Sequence, residues 1–489
     1  MDEETKLRLI EIFRRLPVVK RPERHVPFKH KLYWTGAVLI LYFVLANIHL
    51  FGLSPESIDI FEQYRAFFAG ESGTIILLGI GPIVTGSIVL QLLVGAQVLK
   101  LDLSNPLDQA VFQGLQKTLV IIMIVVEGVP QILGGFVRPD PELAHLLGVS
   151  LSTVSLLLFI QIFIGGLLIL YMDEVVSKWG IGSGVGLFII ASVSQGIVTG
   201  LLNWKIVDGL PAGIIPRWIY LAQHGLMDYI ASASMAEVLY TLGIFALAST
   251  IGIFLLVVFA ESTRVEIPLA HAAVRGARGR FPVKLIYASV LPMILVRALQ
   301  ANIQLFGTLL SSKGINIFGE YVVTSTGSYP VPGSIMYYLR PIHGPTDWVP
   351  SLVLHNETIS QIALRVGMDA FLLIVGGIIF SIFWVETTGM DARTVARRIQ
   401  SSGLQIPGYR RSQASIEKVM QRYIPKVTVL GGAIIGALTL LASLFGTVGA
   451  VSGTGLLLAV SIVYRLYEDI ASEQMMEMHP LLRQFFGKE

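Results

Sequence analysis

The sequence predicts an all-α integral membrane protein with ten membrane-spanning helices. Of its 489 residues, 53% are hydrophobic and 14% are charged, and the mean hydropathy is +0.69. Charge-free stretches long enough to cross a membrane recur along the chain. These stretches lack the alternating pattern of a membrane β-barrel, and helices satisfy their own backbone groups in lipid. The composition therefore excludes a soluble enzyme.

Ten stretches fit the length of a span, because a hydrocarbon core about 30 Å thick needs roughly 20 apolar residues of helix. Most contain no Asp, Glu, Lys or Arg, and the others carry one charge or are charged near an end. The run 427–464 is too long for one span, so we divide it at the Gly-rich segment 446–455. The predicted spans are 32–55, 73–99, 118–137, 143–172, 179–204, 238–260, 285–310, 366–386, 428–446 and 452–468.

The distribution of Lys and Arg orients these spans, since basic loops stay on the cytoplasmic side. Segment 1–31 is rich in Lys and Arg, and so are the loops 264–284 and 386–426, whereas 56–71 on the opposite side is mainly acidic. Both termini are thus predicted to be cytoplasmic. The outer segments 203–237 and 311–365 are predicted to be ordered caps of strand and turn.

The N-terminal segment is expected to be retained, because its apolar run begins late, is long and lacks a small-residue cleavage pattern. Leu7 to Pro17 has helical apolar spacing and a basic face. That pattern suits a helix at the membrane surface or one packed on the protein's own loops, and the sequence leaves both open. The formal net charge is only +3, so any strongly basic surface must be local.

Motifs for covalent chemistry are missing from the sequence. The nine histidines are scattered without a metal-binding pattern, and there is no cysteine. No nucleotide-binding loop or serine nucleophile motif occurs. We therefore expect no metal, no cofactor and no enzymatic activity.

Two ionisable residues lie inside predicted spans, and such residues indicate function by default. Glu127 is central in span three and Arg297 in span seven. They would form a structural pair, face water or, in an alternative interpretation, serve an ion-driven transporter of small solutes.

Glycine and proline within spans point to an interior that opens, although close helix packing explains many glycines equally well. GTIILLGIGPIVTG (73–86), GIGSGVGLFI (180–189) and SGTGLLLAV (452–460) place small residues beside bulky aliphatics with no polar ligand set. This combination favours a hydrophobic constriction over a solute site.

At these residues the chain resembles the SecY family, in particular its archaeal branch, over nearly its whole length. The matching segments follow the family's order. They are GIGPIVTG, QLLVGA (91–96), FQGLQK (112–117), YMDEVVSKWGIGSGVGLFI (171–189), RVEIPLAH (264–271), ANIQLFG (301–307), FWVETTGMD (383–391) and GTGLLLAVSIVYRLYE (453–468).

The resemblance implies a SecY-like hourglass pore between two pseudo-symmetric five-helix halves, 32–204 and 238–468, with an external loop 205–237 and a cytoplasmic tail 469–489. A ring of aliphatic residues would close the pore, and a plug of about 61–72 would seal its outer side. The implied ring residues are Ile80, Val84, Val185, Ile189, Ile294 and Leu458. The implied plug residues include Phe61, Tyr64, Phe67, Phe68 and Ser72.

The resemblance also implies a lateral gate between spans two and three on one side and seven and eight on the other. Its candidate residues are Asn302, Gln304, Glu127 and Arg297, with Arg297 a departure from the apolar wall expected of the family. We hypothesise that Arg297 points toward Glu127 across this gate.

The implied function is that of the central channel subunit of a protein-conducting translocon, which passes unfolded polypeptides across the cell membrane and releases transmembrane segments sideways into lipid. The implied partners are SecE (gamma-type) and beta-type small subunits, the ribosome and its RNA, and nascent secretory and membrane polypeptides. The basic loops would dock the ribosome through Arg275, Arg278, Arg280, Arg410 and Arg411.

Overall fold

In the part of the chain that the structure describes, ten long helices correspond to the ten predicted spans. A computed structural model describes residues 3–478 except 25, 56, 58–67, 96–97, 100, 102–104, 208, 225–234, 272–277, 289, 325–326, 351–356, 402–403, 406–411 and 450. The long helices are α2 (Phe28–Ala46), α3 (Gly81–Gly95), α4 (Pro106–Leu133), α6 (Leu151–Trp179), α7 (Gly184–Leu202), α10 (Ile244–Ser262), α11 (Leu291–Ser312), α13 (Ile359–Thr387), α15 (Gln413–Phe445) and α16 (Gly453–Met478). The all-α membrane fold is thus confirmed.

Shorter elements lie at the two ends of these helices. The short helices are α1 (Glu3–Phe13), α5 (Pro141–Leu147), α8 (Ile214–His224), α9 (Met235–Thr241), α12 (Ile335–Leu339) and α14 (Ala392–Ser401), with a 3-10 turn at Pro345–Asp347. The strands are β1 (Ile206–Val207), β2 (Leu210–Pro211), β3 (Arg264–His271), β4 (Arg278–Lys284), β5 (Tyr321–Thr324), β6 (Gly327–Pro330) and β7 (Leu404–Gln405). The outer segments therefore contain the expected strand pairs, and also helices α8 and α12.

Within the described residues, seven helices have the length and hydropathy of a membrane span on their own: α4, α6, α7, α10, α11, α13 and α15. Helix α3 is apolar but only 15 residues long. Helix α2 carries Lys29 and Lys31 at its start, and α16 carries one basic and several acidic residues from its midpoint onward. Long basic side chains can reach the interface, and Glu468 and Glu473 of α16 are paired with Lys284 and Lys31.

Several helix boundaries differ from the predicted spans for local reasons. Span 73–99 begins as a series of turns up to residue 80, because Gly73 and Gly79 adopt positive φ and Pro82 favours the first turn of a helix. Helix α4 instead starts in the predicted loop, where the Asn105 side chain caps it by accepting from the Leu107 N–H at 3.0 Å.

The two halves repeat the same pattern of helix contacts. In the first half α3 packs on α4, α4 and α2 pack on α6, and α7 packs on α6 and α2. In the second half α11 packs on α13, α13 and α10 pack on α15, and α16 packs on α15 and α10. The order of elements is the same in both, so the molecule consists of two equivalent five-helix units.

The two units meet along two seams. On one side α16 packs on α7 and α2, and on the other side α3 packs on α11 and α13. A hydrophobic cluster that includes residues of both units fills the space between the seams. This cluster contains the candidate site.

Candidate functional site

The six ring residues meet in this central cluster. Ile80 precedes α3 and Val84 lies on it, Val185 and Ile189 lie on α7, and α11 and α16 provide one residue each. Five of them are buried, and Val185 is half-buried against the same cluster. Aliphatic side chains from both halves thus belong to one cluster, and such side chains offer no polar partner to an ion.

The end of the predicted plug is fixed directly against this ring. The Ile80 N–H donates to the Phe68 carbonyl oxygen at 2.7 Å, and the Tyr42 hydroxyl donates to the Ala69 carbonyl oxygen at 3.0 Å. Phe68 and Ala69 are buried in the central cluster, whereas Ser72 is exposed. The other named plug residues, Phe61, Tyr64 and Phe67, lie outside the described residues.

A cavity of about 300 Å³ borders the ring. Val84, Val185 and Ile294 form part of its wall, and Ser87 and Gln91, farther along α3, give it polar groups. The ring residues therefore border a partly polar cavity, while Ile80 also contacts the end of the plug segment.

The seam between α3 and α11 contains a polar contact. The Asn302 side-chain amide on α11 donates to the Thr85 hydroxyl on α3 at 3.1 Å. Glu127 on α4 is buried and faces α3, because a Cβ at Gly81 would lie 2.9 Å from its Oε2. Asn302 and Glu127 thus both face α3. Asn302 belongs to the second half, whereas Glu127 belongs to the first half, as α3 does.

Gln304 lies elsewhere. Its side-chain amide donates to the Met336 carbonyl oxygen of α12 at 3.0 Å, so this group contacts the outer cap and not α3. The two polar residues of ANIQ are two positions apart, and on a helix that spacing directs them to different faces. Gln304 thus lies on a different face of α11 from Asn302, and its assignment to the gate stays a prediction.

The hypothesised pair of Arg297 and Glu127 is wrong. Arg297 is buried and pairs with Asp369 on α13, with 3.0 Å between Nη1 and Oδ1. It also donates to Gln300, Ser443 and Thr454, at 2.8, 3.0 and 3.1 Å. All of these partners belong to the second half, so Arg297 faces away from the first half and satisfies its charge locally.

Three site residues were missed by sequence reasoning. Thr85 is the gate partner of Asn302, and Asp369, near the end of its predicted span, is the counter-ion of Arg297. Asp173 lies on α6, and its Oδ1 accepts from the Val185 N–H at 2.9 Å, which holds the start of α7 beside the ring. These partners come from different helices, and no single-sequence spacing rule could have found them.

The two basic loops are joined in one small sheet. Strand β3 pairs antiparallel with β4, with Ala270 opposite Arg278 and Pro268 opposite Arg280, and also with β7 of the second loop. The backbone order is therefore β4–β3–β7. Arg275, Arg410 and Arg411 lie outside the described residues, and of Arg278 and Arg280 only the backbone is described.

The N-terminal segment packs on the protein itself, as one of the two interpretations of its helix expects. Helix α1 packs on α4, with Lys6 and Asp108 paired at 2.5 Å and Phe13 seated over Gly114. Lys117 of α4 donates to the Pro17 carbonyl oxygen at 2.5 Å and pairs with Glu174 of α6.

The outer cap of the second half holds another charged cluster. Arg365 pairs with Asp347 at 3.2 Å and lies 5.1 Å from the centre of the Tyr337 ring. Burial, aided by Arg340, Arg297 and Arg365, outweighs the Asp347 carboxylate and lowers the pKa of His343 to about 3. Burial opposes ionisation of Asp347, but Arg365 and Arg340 outweigh it and lower the pKa of this carboxyl.

Two family models match the chain. The model described as SecY covers residues 74–467, and the model described as the plug domain of Sec61p covers residues 40–73. Among curated relatives, a protein translocase subunit SecY of Archaeoglobus fulgidus is 59% identical, and one of Haloferax volcanii is 54% identical. In both cases the alignment covers 98% of this chain and 98% of the relative.

Solved structures are similar over the same extent. A structure described as a protein conducting channel is 40% identical with a TM-score of 0.79. Another, of Sec61 in the canine ribosome-channel complex from the endoplasmic reticulum, is 40% identical with a TM-score of 0.76. Each alignment covers 96% of this chain and 98% of the other.

Proposed function

The chain belongs to the SecY family, and we propose that it is the central channel subunit of a protein-conducting translocon. In this role it passes unfolded polypeptides across the membrane and releases transmembrane segments sideways into lipid. One observation supports the proposal: the six aliphatic residues proposed as the ring come from both halves and belong to one hydrophobic cluster, and the end of the plug segment is bonded to one of them, Ile80. Aliphatic groups seal against ions and present no fixed partner to a passing chain.

Two halves that share one constriction can let a chain pass if a seam opens. The α3–α11 seam is a candidate exit to lipid, because its polar contact, Asn302 to Thr85, joins two neutral groups. A neutral hydrogen bond contributes about 0.5–1.5 kcal/mol net, so breaking this contact when the seam opens costs little.

The test is site-specific photo-crosslinking to a ribosome-stalled secretory chain in native membranes. A photoreactive residue at Ile80 reports on the ring, and one at Ile40, which is 67% exposed on α2, is the lipid-facing control. We expect crosslinks to the stalled chain from position 80 and none from position 40. Absence of a crosslink at 80, in membranes where secretion continues, would contradict the proposal and favour solute transport.

Ribosome docking on the two basic loops is part of the same proposal. Support comes from the sheet that joins the loops and from the similarity to a channel solved with a ribosome. Arginine forks suit RNA phosphates, and their binding weakens as salt rises. We expect alanine at Arg278, Arg280, Arg410 and Arg411 to reduce ribosome cosedimentation and its salt dependence. Alanine at the exposed Arg14 and Arg15 is the control, and an equal loss there would contradict docking by the loops.

We further propose that SecE (gamma-type) and beta-type small subunits assemble with the chain in the cell membrane, with both termini cytoplasmic. Family membership supports these partners, and the apolar surface of α10, with Ile251, Leu255 and Phe259 exposed, suits lipid or a partner helix. Copurification of the tagged chain with two small membrane subunits tests the assembly. No covalent reaction is assigned to the chain, so the driving force would come from the ribosome or another partner.

A further inference from the structure

Arg297 joins two helices that both contribute to the ring. On α11 it follows the ring residue Ile294 by three positions, and on α16 Thr454 precedes the ring residue Leu458 by four. Residues at these spacings lie on the same face of a helix. Because Arg297 Nε donates to Thr454 Oγ1 at 3.1 Å, the link between the helices lies one turn from the ring on each of them.

The same guanidinium is held from two further helices. Asp369 of α13 and Ser443 of α15 accept from its terminal nitrogens, each at 3.0 Å. Gln300 donates to Asp369 Oδ1 at 3.1 Å and to the Leu339 carbonyl oxygen of α12 at 3.0 Å. Arginine presents its donors in a rigid planar fork, so all of these helices are fixed in one geometry.

A stabilising role alone does not account for this arrangement. Arg297 and Asp369 are both buried, and desolvation of two charges usually offsets their attraction, so well-packed apolar residues are often equally stable. What an apolar core lacks is the directional fixing of one helix against another.

We propose that Arg297 is a positioning residue of the pore ring: its guanidinium holds Ile294 and Leu458 in register and makes α11 move with the second half as one body. The inference rests on the proposed function, since it assigns the residue that keeps the channel sealed. It also predicts that α11 would separate from α3 and not from its own half. Charge-assisted bonds join α11 to its half, and a neutral one, Asn302 to Thr85, joins it to the other.

Two single-bond variants test the proposal without removing a charge. Thr454→Val removes the acceptor on α16, which contributes a ring residue, and Ser443→Ala removes the acceptor on α15, which contributes none. Both side chains are buried and each change nearly preserves shape. The measurement is ion current through the complete channel complex, purified with its small subunits and reconstituted in planar bilayers.

We expect Thr454→Val to raise the current of the resting channel by about tenfold and Ser443→Ala to leave it at the wild-type value, because only the first link bears on the constriction. Equal currents from the two variants, whether both leak or neither does, would overturn the proposal.

A second pair of variants separates positioning from general destabilisation. Arg297→Met and Arg365→Met each remove a buried arginine from an ion pair of the second half, but Arg365 is in the outer cap. We expect both variants to have a lower thermal unfolding midpoint. Only Arg297→Met should raise the ion current of the resting channel. A leak from Arg365→Met of the same size would assign the effect to lost stability and refute positioning.

A translocation assay with the wild-type complex and a secretory chain distinguishes failure of this inference from failure of the proposed function. If the wild type does not translocate, the proposed function fails. If it does, and Thr454→Val stays sealed, only the inference fails.

Discussion

Gly79 shows how one residue connects the plug segment to the ring. Its φ of +53° is in the left-handed region, and a Cβ there would overlap the Phe68 carbonyl oxygen that accepts from Ile80. Gly79→Ala should therefore displace the plug segment from the ring. The backbone strain alone costs about 1–2 kcal/mol. We expect a lower unfolding midpoint and a higher resting ion current in planar bilayers.

Gly135→Ala is the matched control for this variant. Gly135 has a φ of +74°, but nothing lies within 4 Å of the position of its Cβ. Gly135→Ala should lose a similar amount of stability through backbone strain, but its resting ion current should not rise. A leak of equal size in both variants would show that the contact with Phe68 does not matter.

His343 predicts acid sensitivity of the outer cap. Its pKa is about 3 in the folded state, against 6.5 for an unperturbed side chain, so the folded protein favours the neutral imidazole. Because the pKa of His343 is lower in the folded than in the unfolded state, the neutral imidazole contributes to the stability of the fold. This contribution is complete above pH 6.5 and is lost as the pH falls toward 3. Between pH 7 and 5 the loss is roughly 2 kcal/mol at most. Asp347 stays ionised in this range because its pKa is below 3.8.

The measurement is the thermal unfolding midpoint of the full-length protein at pH 7 and pH 5. His343→Gln should reduce the difference between the two midpoints, whereas His145→Gln, which changes an exposed histidine, should not. An unchanged difference in His343→Gln would refute the assignment.

At the scale of elements, the N-terminal segment is attached to α4 and α6 by polar contacts to its backbone. Lys117 bonds to Pro17 and Glu174, and Glu174 also accepts from the Val19 N–H at 3.0 Å. Lys117→Met leaves the Glu174 carboxylate without this partner. Removal of one member of a buried ion pair costs about 3–5 kcal/mol of stability, and the cost is smaller here because the pair is partly exposed. We expect faster hydrogen exchange in residues 3–24.

The control variant is Arg15→Met, at an exposed position of the same segment. It should leave the exchange rates unchanged. Slow exchange retained in Lys117→Met would mean that packing of α1 on α4, and not Lys117, holds the segment.

For the whole molecule, the two seams predict opposite consequences of cross-linking. Beside the α7–α16 seam, a Cβ on Gly196 would lie 2.5 Å from the Val451 side chain and one on Gly200 would lie 2.4 Å from Gly449 Cα, so α7 packs tightly on the segment that precedes α16. The α3–α11 seam is joined by the neutral Asn302–Thr85 bond. Opening is therefore expected at the α3–α11 seam.

Because the natural chain has no cysteine, introduced pairs report on each seam alone. Thr85→Cys with Asn302→Cys, joined by a short thiol cross-linker, should block translocation. Gly186→Cys with Ile462→Cys, whose positions are in contact between α7 and α16, should permit it. Continued translocation with the α3–α11 seam locked would contradict lateral opening there, and single-cysteine variants control for the reagent.

The sequence by itself determined the number and order of the spans and the aliphatic character of the constriction. Both follow from local chemistry, since a membrane demands about 20 apolar residues per span and a seal demands side chains without polar groups. The motifs that resemble the SecY family then identified six positions that the fold brings into one buried cluster.

Only the tertiary structure decided the partners of the buried polar groups. Arg297 pairs with Asp369, 72 positions away, and Gln304 bonds to α12, because helix rotation and packing select which groups meet. The same holds for α1, whose pattern fits lipid and protein equally well until α4 supplies Gly114 beneath Phe13. Hydrophobicity is a property of each residue, whereas a polar group must find a partner, and that partner is fixed only when the helices are assembled.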